Sequence, residues 1–226
     1  MLKLKPHDSY PSEKGRYLRG NDYSPAALAV ILNTDEDKIP SDINDLVKIG
    51  IESGCALSGT VQTPNIGFEK IICNIIGNPN IRYLILAGPE SAGHLTGEAL
   101  IALFENSVDE KKKVKGTNAL HPYLYNIPVE FIERFRKQVK LINLQFKDQE
   151  SIKKAVWTCI QENPTSFLNY ELFDPGAFQE PLVPPNLIWS VKEPWIGPLS
   201  DKEQEAKQRA LELIEKLKKN KKRKSP

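Results

Sequence analysis

The sequence predicts an α/β protein built on a Rossmann-like, mostly parallel sheet flanked by helices. Short apolar segments alternate along the chain with longer segments of helical periodicity, and turn-forming residues separate them. The clearest apolar segment, residues 82–87, hardly alternates between apolar and polar, as expected of a strand covered on both faces. Strands that alternate with helices in this way imply parallel βαβ units.

The first elements follow a polar segment, residues 1–24, which is rich in turn formers and predicted to be extended or loop. The apolar run at residues 26–32 is typical of a buried strand. A helix is predicted over residues 42–53, and Gly54 after it suits a helix C-terminus. The apolar face of this helix consists of Ile43, Leu46, Val47 and Ile49.

A second strand is predicted over residues 56–61, and a helix over residues 66–76 ends at a Gly-Asn-Pro sequence. After strand 82–87, a helix opens near Gly97 and has Leu100, Leu103, Phe104 and Val108 on one face. Val114 is interpreted as the start of a short strand. The last predicted elements are a helix over residues 129–139, a strand over 140–145 and a helix over 149–161.

The composition changes after residue 163, so two regions are predicted, 1–163 and 164–226. The second region is rich in proline, which excludes long helices near residues 164–199, and Trp189 and Trp195 suggest a segment that wraps over the core. A basic amphipathic helix is predicted to close the chain, with Ser200 and Glu203 as its capping box.

Composition narrows the function classes. The net charge is +2 with most of the positive excess near the end of the chain, which argues against a nucleic-acid-binding surface on the body of the protein. No charged-then-apolar leader and no apolar run of membrane-spanning length is seen, so the predicted location is cytoplasmic. Cys55, Cys73 and Cys159 are far apart, which favours reduced thiols over disulfides or a zinc site.

His94 is the leading candidate for a functional residue. It lies between Gly93 and Leu95-Thr96-Gly97, on a loop after the best predicted strand, where open α/β sheets bind their ligands. The alternative is a loop histidine bonded to backbone. No second histidine lies nearby, so a zinc site built from histidine pairs is not expected. A single histidine suffices for a metal already held by a macrocycle, and a corrinoid suits this position better than haem, whose histidine is usually helical.

Several groups near His94 are candidates for orienting its imidazole through the other ring nitrogen, namely Glu69, Glu90, Ser91 and Glu98. The alternative for the Gly88-Pro89-Glu90-Ser91 segment is turn formation and helix capping, and for Glu98 a favourable place in the first helical turn. The fingerprints of dinucleotide-binding, P-loop, nucleophile-elbow and zinc-protease sites are absent from the sequence.

A second loop, GTNALHPYLYN at residues 116–126, is predicted at the same edge of the sheet. Its Gly116, Thr117 and Asn118 are candidates for backbone and amide contacts with a ligand, whereas His121 is interpreted as a surface or packing residue. The basic run at residues 111–115 is interpreted as a solvated loop, with docking of an acidic partner as the alternative.

Residues 63–109 resemble the A subunit of the tetrahydromethanopterin S-methyltransferase of methanogenic archaea. The resemblance rests on NPNIR at residues 78–82 and GHLTG at residues 93–97, and continues in Pro122-Tyr123, Asn126-Ile127-Pro128 and Glu133-Arg134-Phe135. It covers about residues 17–163.

This resemblance implies a cobalamin-binding domain at residues 1–163, with His94 as the lower axial ligand of cobalt. It further implies a methyl carrier: cob(I)alamin takes a methyl group from methyl-tetrahydromethanopterin, and methyl-cob(III)alamin passes it to coenzyme M. Implied partners are the corrinoid and methyltransferase proteins specific for the methyl-pterin and the thiol. The expected cofactor contacts are Gly88, Pro89, Ser91, Gly93, His94, Leu95, Thr96, Gly97, Thr63, Asn65, Gly116, Thr117, Asn118 and Pro122.

Departures from the family pattern keep other functions open. Family members have a C-terminal membrane anchor where this sequence has a proline-rich segment and a basic helix, which predicts an anchor-less cytoplasmic homologue. The family's Thr-Glu-Asn is here Thr63-Pro64-Asn65. The alternatives are a corrinoid storage or scaffold protein without turnover and a cofactor-free regulatory homologue.

Overall fold

The structure is a computed structural model that describes residues 1–34, 38–181 and 185–187. Along the chain its elements are β1 (Tyr17–Arg19), β2 (Ala26–Ile31), α1 (Ser41–Glu52), β3 (Leu57–Val61), α2 (Ile66–Ile76), β4 (Tyr83–Gly88), α3 (Thr96–Asn106), α4 (Val129–Gln138), β5 (Lys140–Gln145), α5 (Gln149–Cys159), β6 (Thr165–Phe167) and β7 (Tyr170–Leu172).

The main sheet is mixed and mostly parallel, with the strand order β1-β3-β2-β4-β5. Strand β2 is central: its Leu28 is paired with Ser58 of β3 on one side and with Ile85 of β4 on the other. Strand β5 continues the parallel pairing, with Ile142 beside Ile85. Only the short β1 runs antiparallel, next to β3. The α/β class and the predominantly parallel sheet predicted from the sequence are therefore confirmed.

Two apolar layers cover the sheet, because successive residues of a strand point to opposite faces. On one face Ala27, Ala29 and Leu86 pack with buried residues of α2, α3 and α4. On the other face Leu28 and Ile85 pack with buried residues of α1 and α5. Every residue of β2 and of β4 is buried, which explains why neither strand alternates in sequence.

Most predicted elements agree with the structure, and the helix at Ile66–Ile76 and the strand at Lys140–Gln145 match residue for residue. Within residues 1–24, predicted to be extended or loop, Tyr17–Arg19 is extended and pairs with β3 as an edge strand, an element that the sequence did not single out. Val114 begins no strand; it forms an isolated bridge with Val108, and Lys113 forms another with Tyr123. The β6–β7 hairpin has no counterpart among the predicted elements.

The predicted C-terminal helix lies outside the described residues, and so do Trp189 and Trp195 of the predicted wrapping segment. The described part after residue 163 contacts the start of β4: the Tyr83 hydroxyl donates to the carbonyl of Phe173 at 2.8 Å, and the N–H of Phe178 donates to Pro79 at 2.8 Å. The division of the chain at residue 163 stays a prediction.

All three cysteines are buried free thiols. Burial raises the pKa of Cys73 to about 12 and that of Cys55 and Cys159 further, so none is a reactive thiolate in the folded protein. Within the residues that the structure describes, no helix has both the length and the apolar character needed to cross a bilayer.

Candidate functional site

The candidate site lies at the carboxyl edge of the sheet, which we define as the ends of β2, β3, β4 and β5 with the residues that follow them. The strand order reverses here, because β3 lies on one side of β2 and β4 on the other. Open α/β sheets bind ligands outside the carboxyl ends of their strands where the order reverses. The loop after β4, residues 89–95, starts beside this point and is called the His94 loop.

Gly88 makes the turn from β4 into the His94 loop. Its backbone has φ +89°, and a Cβ there would lie 3.1 Å from the carbonyl oxygen of Ile31 at the end of β2. A side chain is therefore excluded twice, by conformation and by the neighbouring backbone. The carbonyl of Gly88 accepts the N–H of Phe146, which follows β5, at 3.2 Å. The loop thus starts from a fixed point between two strands.

Glu90 fastens the His94 loop to the first turn of α3. Its carboxylate accepts the backbone N–H groups of Ser91, Gly97 and Glu98 at 2.8, 2.9 and 2.9 Å. Burial alone would raise the pKa of Glu90, but these donors outweigh burial and hold the pKa below its ordinary value. Glu90 is therefore a carboxylate at a helix N-terminus, as the capping interpretation of this segment predicts.

Hydrogen bonds between Ser91 and Thr96 join the His94 loop to the first residue of α3. The Ser91 hydroxyl donates to Thr96 Oγ1 at 2.7 Å and accepts the N–H of Thr96 at 3.0 Å. Thr96 Oγ1 then donates to the carbonyl of Gln62, just after β3, at 2.7 Å. Both hydroxyl groups belong to buried residues. These bonds connect the loop after β4 to the end of β3 across the carboxyl edge.

His94 lies at the exposed side of this fixed loop. Its backbone N–H donates to the carbonyl of Ser91 at 3.2 Å, whereas its imidazole forms no hydrogen bond with any residue that the structure describes. Next to it, a Cβ on Gly93 would meet nothing within 4 Å. On its other side, Leu95 has φ 49° and ψ 47° as the N-cap of α3. The backbone of His94 is thus held by the hydrogen bonds of its loop, whereas its side chain is exposed.

The four groups predicted as orienting partners of His94 have other partners in the structure. Glu90 and Ser91 cap and close the loop. Glu69 accepts from the backbone N–H and side-chain Nδ2 of Asn126. Glu98 accepts from Asn118 through its backbone N–H at 3.1 Å and its Nδ2 at 2.9 Å, and from Thr117 Oγ1 at 3.4 Å.

The bonds to Glu98 bring Thr117 and Asn118 to the N-terminal turn of α3, close to the His94 loop. Gly116 precedes them and has φ +76°. Pro122 is farther along and buried, and its carbonyl accepts the N–H of Val114 at 2.9 Å. His121, interpreted as a surface or packing residue, is exposed. The second predicted loop therefore borders the site.

Thr63 and Asn65 follow β3 at the same edge. Asn65 caps α2, since its side-chain oxygen accepts the N–H of Ile66 at 2.7 Å. Thr63 lines a cavity of about 300 Å³ between α2 and the sheet. Pro89 continues the turn from Gly88 and is partly exposed. The structure describes no contact between His94 and either Thr63 or Asn65.

Three further residues belong to the site without having been predicted from the sequence, namely Gln62, Gln145 and Phe146. Gln62 accepts from Thr96 and donates through Nε2 to the carbonyl of Thr34 at 3.0 Å, so it joins three loops. The amide of Gln145 lies 3.4 Å from Glu90 and covers Gly97. Each follows or ends a parallel strand, and the same rule that selects His94 would have found them.

The part of the chain that the structure describes contains no group of three or more His, Cys, Asp or Glu side chains suited to hold a metal ion. The fold and the site together define an α/β protein with an exposed histidine on the loop after β4, at the edge where open α/β sheets bind their ligands.

The chain belongs to the family formed by the A subunit of tetrahydromethanopterin S-methyltransferase, whose model matches residues 3–173. It is 39% identical over 180 residues to the first of two such A subunits of Methanothermobacter marburgensis, an alignment that covers 79% of this chain and 66% of the relative. It is 38% identical over 183 residues to the second A subunit of Methanobrevibacter ruminantium, covering 80% of this chain and 83% of the relative. The resemblance predicted from the GHLTG and NPNIR motifs is confirmed.

The chain spans just under two thirds of the length of the first A subunits of two Methanothermobacter species, with 66% of each covered. Both relatives are named as an A subunit of tetrahydromethanopterin S-methyltransferase.

Proposed function

We propose that this chain binds a corrinoid at the carboxyl edge, with His94 as the lower axial ligand of cobalt, and carries a methyl group between methyl-tetrahydromethanopterin and coenzyme M. The observation that supports this most is His94 itself: an exposed imidazole without a described intramolecular partner, on a loop braced by Glu90 and Thr96. The family supports the methyl-transfer part.

The residues present fit such a cofactor. The macrocycle of a corrinoid supplies the equatorial ligands of its cobalt, so one protein nitrogen is sufficient. An exposed imidazole beside the open surface of Gly93 leaves room for a wide, flat ligand. We further propose that the sheet is a Rossmann-like variant, which its strand order and its two helical layers favour.

When bound, the corrinoid supplies a cobalt that can take up and release a methyl group. The chain would contribute position and electrostatics. His94 would donate to the cobalt and so set its axial ligand field. The floor of the site would be formed by Gly88, Pro89, Ser91, Gly93, Leu95, Thr96 and Gly97. The proposed contacts at the rim of the site are Thr63 and Asn65 on one side, and Gly116, Thr117, Asn118 and Pro122 on the other.

Electron paramagnetic resonance of the cob(II) state tests the ligand directly. A protein labelled with ¹⁵N and loaded with unlabelled cobalamin should show the doublet splitting of one axial ¹⁵N nucleus, because its spin differs from that of ¹⁴N. His94→Gln should remove this doublet, and His121→Gln, an exposed histidine outside the loop, should keep it. A splitting that stays a ¹⁴N triplet in the labelled protein would show that the cofactor's own base is the ligand.

A second experiment separates methyl transfer from storage. The reduced holoprotein is mixed with a methyl-pterin and the corresponding methyltransferase partner, and the cobalt spectrum is followed. Methylation within seconds to minutes supports the carrier function, whereas a stable complex that never becomes methylated supports storage. Because the relatives are named as subunits, we propose that such partner proteins are required for turnover. The cytoplasmic location stays a prediction.

A further inference from the structure

Phe146 is the one exposed phenylalanine of this protein. The chain has eight phenylalanines, all of them within the described residues, and the other seven are buried or half-buried. The side chain of Phe146 is 75% exposed and belongs to neither apolar layer of the core. A large aromatic side chain left in water at this position has no role in the packing of the sheet.

The backbone of Phe146 makes the exposure more unusual. Its φ is 62°, in the left-handed region where glycine and asparagine are favoured and bulky residues are rare. An exposed turn in this conformation is more stable with asparagine or glycine, so neither core packing nor local conformation favours phenylalanine here. Such conformationally unfavourable residues are concentrated at binding sites.

The position of Phe146 is that of a site residue. It directly follows β5 at the carboxyl edge, and its N–H donates to the carbonyl of Gly88, where the His94 loop begins. The residue before it, Gln145, contacts Glu90 of the same loop. The backbone of Phe146 therefore lies beside the start of the loop that presents His94, and its exposed ring is at the same edge of the sheet.

We propose that Phe146 is a cofactor-contact residue, whose ring packs against the apolar edge or face of the flat macrocycle held by His94. This assignment rests on the proposed function. Burying a ring of this size under a ligand is a substantial source of affinity, and it requires no polar partner. Phe146 would fix the position of the macrocycle while His94 provides the bond to the metal.

The test is a titration of the whole chain with hydroxocobalamin, followed by absorbance and by protein fluorescence. Phe146→Asn should weaken cobalamin binding about tenfold, which corresponds to about 1.4 kcal/mol. Phe146→Tyr should keep most of the affinity of the unsubstituted chain. The same Asn variant should raise the melting temperature by a few degrees, because asparagine tolerates the left-handed backbone. Lower affinity with higher stability is a combination that a merely structural role would not produce.

Leu168 provides the matched control. It is an apolar residue, 62% exposed, with φ 52°, but it lies in the β6–β7 turn and not at the carboxyl edge. Leu168→Asn should raise stability in the same way and leave the cobalamin affinity unchanged.

The outcomes distinguish the two proposals. If the unsubstituted chain binds cobalamin and Phe146→Asn binds it equally well, the assignment of Phe146 is overturned and the corrinoid function stands. If Leu168→Asn weakens binding as much as Phe146→Asn does, the effect is not one of contact at the site, and the assignment again fails. If the unsubstituted chain binds no cobalamin, both proposals fail.

Discussion

Glu69 of α2 and Asn126 of the α3–α4 connection (residues 107–128) are joined by two hydrogen bonds, one from the Asn126 N–H at 2.7 Å and one from its Nδ2 at 2.8 Å. Glu69 is only 1% exposed. In the middle of the same connection, Asn118 is held by Glu98. Two carboxylates on two helices thus fix the segment that borders the His94 loop.

Replacing Glu69 should have different consequences for two substitutions. Glu69→Ala leaves the partly buried donors of Asn126 without this acceptor and should lower the free energy of unfolding by about 1–3 kcal/mol. Glu69→Gln keeps an acceptor and should cost less. Urea denaturation at neutral pH measures both, and Glu162→Gln, at an exposed bend, is the control that should change nothing.

The same carboxyl predicts a pH effect. Burial raises the pKa of Glu69, partly offset by the hydrogen bonds from Asn126. The folded protein therefore keeps this proton at pH values where the unfolded chain releases it, and its contribution to stability falls as the pH rises from the ordinary carboxyl range to the raised pKa. Glu69→Gln should remove this decline; an unchanged slope would show that other groups cause it.

For Glu90 we expect stability to change with pH in the opposite direction from that expected for Glu69. Its pKa is below the ordinary value, so the stability it contributes is fully present above the unfolded pKa and is lost as the pH falls through the folded pKa. Glu90→Gln should therefore destabilise the protein by about 1–2 kcal/mol at neutral pH and flatten the loss of stability in acid. Glu105→Gln, exposed on α3, should leave the loss of stability in acid as it is.

The parts of the fold that sequence predicts well are those whose signals are local. The buried strands β2 and β4 and the loop glycines are predictable because short apolar runs and turn residues are recognised within a few positions. Strand β1 is not, because its three residues form no apolar run and become an edge strand only through pairing with β3. Likewise, Glu69 and Asn126 are 57 positions apart, and no local pattern announces such a contact.

The same reasoning explains the site. The sequence predicts that His94 lies on a loop after a strand, because its glycine-flanked motif follows the apolar run at residues 82–87. In the structure this loop follows β4. The bonds of Glu90 agree with the capping alternative, because the free N–H groups of α3 follow it closely in sequence. The partner of Glu98 is not predictable in this way, because Asn118 lies 20 positions farther along the chain. Exposed helix-terminal N–H groups are strong donors that a nearby carboxylate rarely leaves unpaired.

Thr96→Val tests the connection between the loop and β3. Valine has the same shape but cannot donate to the carbonyl of Gln62 or accept from Ser91, so the free energy of unfolding should fall by about 1–3 kcal/mol. Amide hydrogen exchange at His94 and Leu95 should accelerate. Thr158→Val is the buried control: its hydroxyl donates only to the carbonyl of Lys154 within α5, and its loss should cost clearly less.

Gly97 and Gln145 should be energetically coupled. A Cβ on Gly97 would lie 2.3 Å from Nε2 of Gln145 and 2.7 Å from Oε2 of Glu90. The Glu90 carboxylate is bound to the N–H of Gly97 and Glu98 and cannot move without breaking those bonds, whereas the Gln145 amide can. Gly97→Ala should therefore cost about 1–3 kcal/mol by overpacking. In the Gln145→Ala background the cost should be smaller by about 1 kcal/mol or more, which a double-mutant cycle measures.

Gly93→Ala, in open space with φ +83°, should show only a backbone cost and no coupling to Gln145. A cycle without coupling between residues 97 and 145 would mean that Glu90, not Gln145, sets the space at this turn, and that the capping bonds yield when a methyl group is added.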